Sequence, residues 1–239
     1  MSKKLFVTLR EAEKIVKNKI STKIFNWLQS GAEDNHTYLK NFEDLKNIRI
    51  KPSHLTKFNA LSTESIFFKK KISSPIILSP MGHQTQFHKE GEIEMARGVA
   101  KAKTIAFFGT QSRMKLADIR KANKNTYIGW TIFPFGDKQW IKKQIVTAEK
   151  NKCVAIAVCI DANVRSHRYA DRETRYDARK IGKRTNPISP NPKLATGYDW
   201  NLIKFIKRNS SLPIIVKGVV TVEDTKNALK SKADGIWIS

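Results

Sequence analysis

The chain has 239 residues, 40% of them hydrophobic and 9% aromatic, which is enough for a sizeable core and excludes wholesale disorder. Lys and Arg outnumber Asp and Glu by 45 to 21, for a net charge of +24. That balance raises nucleic acid or another polyanion as a partner, but the lysines are spread along the chain, so a solvated basic surface is the favoured reading. No apolar run is long enough to span a bilayer. The opening Met1-Ser2-Lys3-Lys4-Leu5-Phe6 leads into a charged helical pattern rather than an apolar signal core. The two cysteines, Cys153 and Cys159, bracket the apolar run 154–158 and read as core thiols in a reducing compartment. A cytoplasmic protein is expected.

The first 70 residues read as a helical extension. Apolar residues recur at helical spacing over 9–16. A second helix is predicted from Ser21 through Leu28, with Gly31 suited to its C-cap. Asp34 and Asn35 can begin a third, through Phe42, before Ile48-Arg49-Ile50 and Pro52 suggest an extended connection.

From about residue 71 the pattern alternates. Strand-like runs are predicted at 75–79, 104–109, 127–133, 154–161, 213–218 and 235–239. Amphipathic helical patterns lie between most of them, at 92–102, 115–122, 137–150, 200–208 and 222–232. Short apolar strands alternating with helices indicate a parallel sheet with right-handed crossovers. Six such units after a helical prefix predict an α/β fold of the (β/α)8 TIM-barrel type, incomplete at about six units. No glycine-rich fingerprint follows the first strand, which lowers the doubly wound alternative. The domain reading is therefore 1–70 helical extension and 71–239 partial barrel. The stretch 163–196 lacks hydrophobic periodicity and reads as a long loop after the fourth strand, over the face where barrel active sites lie.

Several segments carry a more specific signal. They are Ser30-Gly31-Ala32-Glu33-Asp34 with Asn41-Phe42; Ser79-Pro80 with His88-Lys89-Glu90-Gly91-Glu92 and Ala96-Arg97; Ile160-Asp161 with Arg168 and Ala170-Asp171; Leu212-Pro213-Ile214-Ile215-Val216-Lys217-Gly218-Val219 with Glu223-Asp224; and Ala233-Asp234-Gly235-Ile236-Trp237-Ile238-Ser239. In this order, over nearly the whole chain, they resemble the FMN-dependent 2-hydroxy-acid oxidase and dehydrogenase family.

The resemblance implies a protein that oxidises a small 2-hydroxy acid to a 2-oxo acid, with FMN as cofactor. It places Asp161 beside a catalytic histidine and Arg168 on the substrate carboxylate, which a planar guanidinium can clamp with two bonds. It places Lys217 near the flavin, where it stabilises developing negative charge, and puts Ser239, Gly82 and Thr131 on the cofactor side. This sequence departs from the family at several of these points. Trp27 and Phe133 stand where the family has tyrosines, Thr131 replaces a glutamine, Met81-Gly82 a Thr-Ala pair, Gly109 a serine and Cys159 a threonine. The family continues with Asn-His-Gly-Gly and an arginine, and the sequence stops at Ser239.

The expectation is a family member truncated and impaired as this chain. The alternatives are an inactive interaction module and a basic polyanion binder. Nucleic acid is not favoured as a partner, and a homo-oligomer is compatible with the sequence. His83 and His88, five apart, fit no strong metal motif, and no metal is expected.

Overall fold

The computed structural model describes residues 6–57, 60–122, 124–164, 166–191, 193 and 197–239. Arg165 and Thr196, at or near the limits of the long-loop reading, and the opening residues 1–5 lie outside them. The chain divides into two compact units, residues 1–60 with 166–181, and residues 61–165 with 182–239. No helix among the described residues is long and apolar enough to cross a membrane.

The first unit holds helices α1 (Leu9–Lys19), α2 (Thr22–Gln29) and α3 (His36–Asn47), joined by α7 (Tyr169–Glu173) and a 3-10 turn at Ala178–Lys180. Helix α1 starts on a reciprocal cap: Thr8 accepts from the Glu11 amide while Glu11 accepts from the backbone of Thr8. Helix α2 ends at Ser30 as read, but Gly31 does not act as a left-handed cap; the Ser30 cap is extended, with φ −100° and ψ 144°. What Gly31 provides is closeness. Its N–H donates to Asn35 Oδ1 at 2.6 Å, and an added Cβ would lie 2.8 Å from Tyr38 Cβ. The 163–196 stretch is not one extended loop, since α7 and the 3-10 turn lie within it.

The second unit is a β/α layer structure. Five parallel strands, β3 (Ile105–Gly109), β4 (Tyr127–Ile132), β5 (Ile156–Cys159), β6 (Ile214–Val219) and β7 (Gly235–Ile238), pair in sequence order. Helices α4 (Glu92–Lys101), α5 (Leu116–Ala122), α6 (Lys138–Lys150), α8 (Asn201–Asn209) and α9 (Val222–Lys230) alternate with them, as the periodicity predicts. The strand expected at 75–79 is reduced to a single parallel bridge between Leu78 and Ala106. Pro75 and Pro80 bracket it and cannot donate to a ladder, which leaves a run too short to pair along its length. One element was not expected from the sequence. Strands β1 (Ser65–Phe67) and β2 (Lys70–Ile72) form an antiparallel hairpin.

Strand alternation sorts the core into two faces. Ala106, Phe108, Ile128, Trp130, Ile132, Ile156, Val158, Ile214 and Val216 pack in the cluster that takes in the helices. Ile105, Phe107, Ala155, Ala157 and Ile215 face the other way and pack with Ile72, Phe67 and Phe68 of the hairpin. The hairpin thus covers apolar residues on the face away from the helices, beside a cavity of about 310 Å³ lined by Phe67, Phe68, Phe107, Ile215 and Trp237.

Phe107 and Gly129 are register partners, and the Phe107 ring fills the place of a side chain at Gly129: an added Cβ would lie 2.2 Å from Cε1. Phe107 is wholly buried, so its ring must shift within the core to admit a side chain there. Gly129→Ala is expected to lower unfolding free energy by about 1–3 kcal/mol, the usual cost of overpacking. Gly98→Ala, at an exposed helical site with nothing near its Cβ, should raise it by about 0.5–1 kcal/mol. Urea unfolding of the two variants beside the parent checks both signs.

Candidate active site at the carboxyl ends of the strands

In a parallel β/α structure the strand C-termini face the loops that carry function. Here β5 runs out into Asp161. Ile160 N–H donates to the Lys217 carbonyl at 2.9 Å, which fixes the end of β5 against β6. Between β6 and β7 the register slips at Lys217/Val219, and Gly218 sits at φ +102°. Glycine is required there twice over, by the backbone angle and because an added Cβ would lie 2.5 Å from Asp161 Cγ. The bulge opens the space into which the Asp161 carboxylate fits.

Three of the sequence-predicted site residues meet at this point. Lys217 Nζ lies 3.8 Å from Asp161 Oδ2, with the lysine side chain 15% and the aspartate 33% exposed. Ser239, just past β7, lies close enough to the Asp161 carboxylate for its side chain to favour the charged form. A fourth group joins them from β5, where the Cys159 thiol donates to Asp161 Oδ1 at 2.9 Å. Burial disfavours the charge on Asp161, but the Cys159 thiol, Lys217 and Ser239 together outweigh it and hold the carboxyl below its ordinary value. Burial pushes the Cys159 thiol up to about 12, with the adjacent carboxylate adding to the shift, so it stays protonated at neutral pH.

Thr131 lies on β4, wholly buried, and its Oγ1 has no hydrogen-bond partner. Gly109 lies beside it, so close that an added Cβ would sit 3.0 Å from the Thr131 carbonyl oxygen. Gly82, on the loop after the Leu78 bridge, approaches the Gln111 backbone, with 3.3 Å from an added Cβ to the Gln111 carbonyl oxygen. A cavity of about 210 Å³ opens at the end of β5, lined by Cys159, Ile160, Asn163, Tyr198, Trp200 and Asp224 among others.

Arg168 belongs to the first compact unit, whereas Asp161, Lys217 and Ser239 belong to the second. Its guanidinium caps the end of α2, donating to the carbonyls of Trp27 and Ser30 and to Ser30 Oγ. It stacks 5.1 Å from the centroid of the Trp27 ring and pairs with Asp171 at 3.7 Å. Among the described residues no group of three His, Cys, Asp or Glu side chains is placed to hold a metal ion, His83 and His88 included.

Two features here were not given a role from the sequence. The first is Glu92, in the first turn of α4, named only as part of a motif. It is wholly buried and accepts the Arg113 amide at 2.7 Å. Burial raises its pKa, against the pull of the Arg113 and Met114 amides and the Arg184 charge. The second is the tethering of segment 183–191. Thr185 and Asn186 amides both donate to the Arg113 carbonyl at 2.8 Å. Asn186 Nδ2 reaches the carbonyls of Thr110 and Ser112, and Thr185 Oγ1 pairs with Asp118. Thr85 Oγ1 donates to the Lys183 carbonyl, and Asn191 N–H to that of Phe135. The segment is thereby tied to the loops that follow β3 and β4.

The parallel β/α layers, with charged and polar groups gathered at the strand ends, define a barrel-type α/β protein whose site lies where such folds carry their chemistry. The profile of FMN-dependent dehydrogenases matches residues 16–239, and the chain belongs to that family. Glycolate oxidase 3 of Oryza sativa subsp. indica is 29% identical over 252 aligned positions, which cover 98% of this chain and 68% of the relative. Glycolate oxidase 3 of Arabidopsis thaliana is 27% identical, covering 96% of this chain and 67% of that one. Among solved structures, a mandelate oxidase crystallised with benzoyl-formic acid superposes with a TM-score of 0.88 at 22% identity, over 97% of this chain and 67% of its own, and shares the fold.

The groups present suit the family's cofactor. A buried hydroxyl without a partner at Thr131 and a half-shielded ammonium at Lys217 would suit a flat group with polar, anionic edges.

Proposed function

We propose that this chain is an FMN-dependent oxidoreductase that oxidises a small 2-hydroxy acid to the 2-oxo acid. The observation that carries the reading is the convergence of Asp161, Lys217 and Ser239 at the strand ends, in a chain whose curated relatives include glycolate oxidases. FMN supplies the two-electron acceptor chemistry when bound. Lys217 supplies a fixed positive charge where negative charge develops. Thr131, Gly82 and Ser239 border the cofactor, with the Thr131 hydroxyl free to hydrogen-bond it. Asp161, held ionised, is the proposed partner of the catalytic histidine that the family resemblance implies. The two cysteines are both free, which suits the cytoplasm as its compartment.

Titrating the purified chain with FMN and following quenching of flavin fluorescence tests cofactor binding. Adding glycolate, lactate and longer 2-hydroxy acids without oxygen then tests substrate. Weak quenching followed by slow bleaching of the flavin with one of these acids is expected, in keeping with an impaired family member. A chain that leaves FMN fluorescence unchanged at all concentrations would overturn the reading.

A further inference from the structure

We propose that Cys159 is a positioning residue, whose thiol fixes one oxygen of Asp161 so that the other faces Lys217. The role of Asp161 in the reaction rests on the function proposed above; the arrangement of its two oxygens does not.

The geometry assigns the two oxygens different partners. Oδ1 receives the Cys159 thiol at 2.9 Å, and Oδ2 faces Lys217 Nζ at 3.8 Å. Asp161 lies two residues past Cys159, where β5 ends, and the 2.9 Å contact brings the two side chains together. Cys159 is also the register partner of Lys217, which brings thiol, carboxylate and ammonium to one level across β5 and β6. The thiol is 1% exposed, so water does not compete for the carboxylate on that side. Gly218 closes a third side by its lack of a Cβ, and Ser239 adds a hydroxyl from beyond β7.

A carboxylate on a strand end can rotate about its terminal torsion, which has broad wells. A single ion pair at 3.8 Å would not choose between the two oxygens. A donor fixed in the backbone two residues earlier does. Because burial keeps the thiol protonated, it can act only as donor to the carboxylate and is not a nucleophile at neutral pH. The groups recorded around Asp161 are then Cys159 from its own strand, Lys217 from β6 and Ser239 from the end of β7.

The test uses the flavin-free chain, so its outcome is separate from that of the FMN titration. Carbon-13 labelled Asp gives a carboxyl NMR signal for Asp161, assigned by its loss in Asp161→Asn. Cys159→Thr keeps a donor, and Cys159→Val has nearly the same shape without one. The Asp161 titration midpoint should move up in Cys159→Val and stay near the parent in Cys159→Thr. Equal midpoints in parent and Cys159→Val would overturn the proposal. A second measurement needs no change at Cys159. In Cys153→Ala, Cys159 is the sole thiol, and its S–H infrared band should be shifted to low frequency and relax upward when Asp161→Leu is added. A band at the free-thiol frequency before that change would likewise overturn it.

Discussion

Glu92→Ala is expected to lower the unfolding free energy by about 3 kcal/mol, more than either glycine change in the sheet or helices. A buried donor stripped of its acceptor costs about 1–3 kcal/mol, and more when the lost partner is charged. Glu92 is wholly buried, its Oε1 takes the Arg113 amide at 2.7 Å, and Arg113 is itself 2% exposed. Removing the carboxylate leaves that amide unsatisfied and the neighbouring arginines without their counter-charge. For a chain of this size about 3 kcal/mol corresponds to a fall of roughly 6–12 °C in Tm.

Glu92→Gln separates the two contributions, because an amide oxygen still accepts from Arg113. The sign with pH follows from the raised pKa. A carboxyl raised on folding contributes stability that is present below its unfolded pKa and lost as pH rises through the folded one. The parent should therefore lose ground to Glu92→Gln as pH climbs from the acid side through the ordinary carboxylate range. Thermal melts of the three proteins across pH measure this. A Glu92→Ala melt within a degree or two of the parent would show that the segment 183–191 and the β3 loop hold without the buried carboxylate.

How much of this was legible depended on which force fixed each element. The strands and helices of the sheet layers show in the sequence because burial leaves apolar runs and helical spacing; the runs 104–109 and 213–218, which carry Ile105, Phe107, Ile214 and Val216, read as strands on that pattern. The β1–β2 hairpin was not legible. Its turn residues, Phe68 and Lys69, both take positive φ, at 42° and 65°, without the Asn-Gly pair that usually announces such a turn. What holds them is tertiary: Phe67 and Phe68 pack into the cluster of Phe107 and Ile215. The strand expected at 75–79 failed for the opposite reason, a strong apolar run undone by its flanking prolines.

The site residues divide the same way. Asp161, Lys217 and Ser239 came from motif resemblance, and the structure brings them together. The thiol contact of Cys159 joins residues only two apart, but a cysteine at the end of an apolar run reads as core, and its role as donor shows only in the structure. Thr185 and Asn186, polar residues in an aperiodic stretch read only as a long loop, prove to be tethers. Arg168 was legible as a guanidinium among several; its stacking on Trp27 was not, because it joins residues 141 apart.

Lys217→Met should abolish function while sparing the fold. The lysine side chain is 15% exposed, so its methylene stem already packs within the site, and methionine is close to it in length. The melting temperature at neutral pH should change little. Loss of a preorganised charge where negative charge develops typically costs about 10²–10³-fold in rate, and flavin reduction by a 2-hydroxy acid should fall by that order. Arg172→Met, an exposed change on α7, serves as the control for loss of one positive charge from a very basic chain and should leave flavin reduction near the parent rate. The acid side gives an independent reading. Asp161 is held below its ordinary value, so its contribution to stability is present above the unfolded carboxyl pKa and is lost as pH falls through the folded one. Without Lys217 the folded value moves up, and the loss of stability on acidification should begin at higher pH than in the parent, though damped because Asp161 is one-third exposed. Parent-like flavin reduction in Lys217→Met would remove the lysine from the site; parent-like acid unfolding would show that Cys159 and Ser239 hold the carboxylate by themselves.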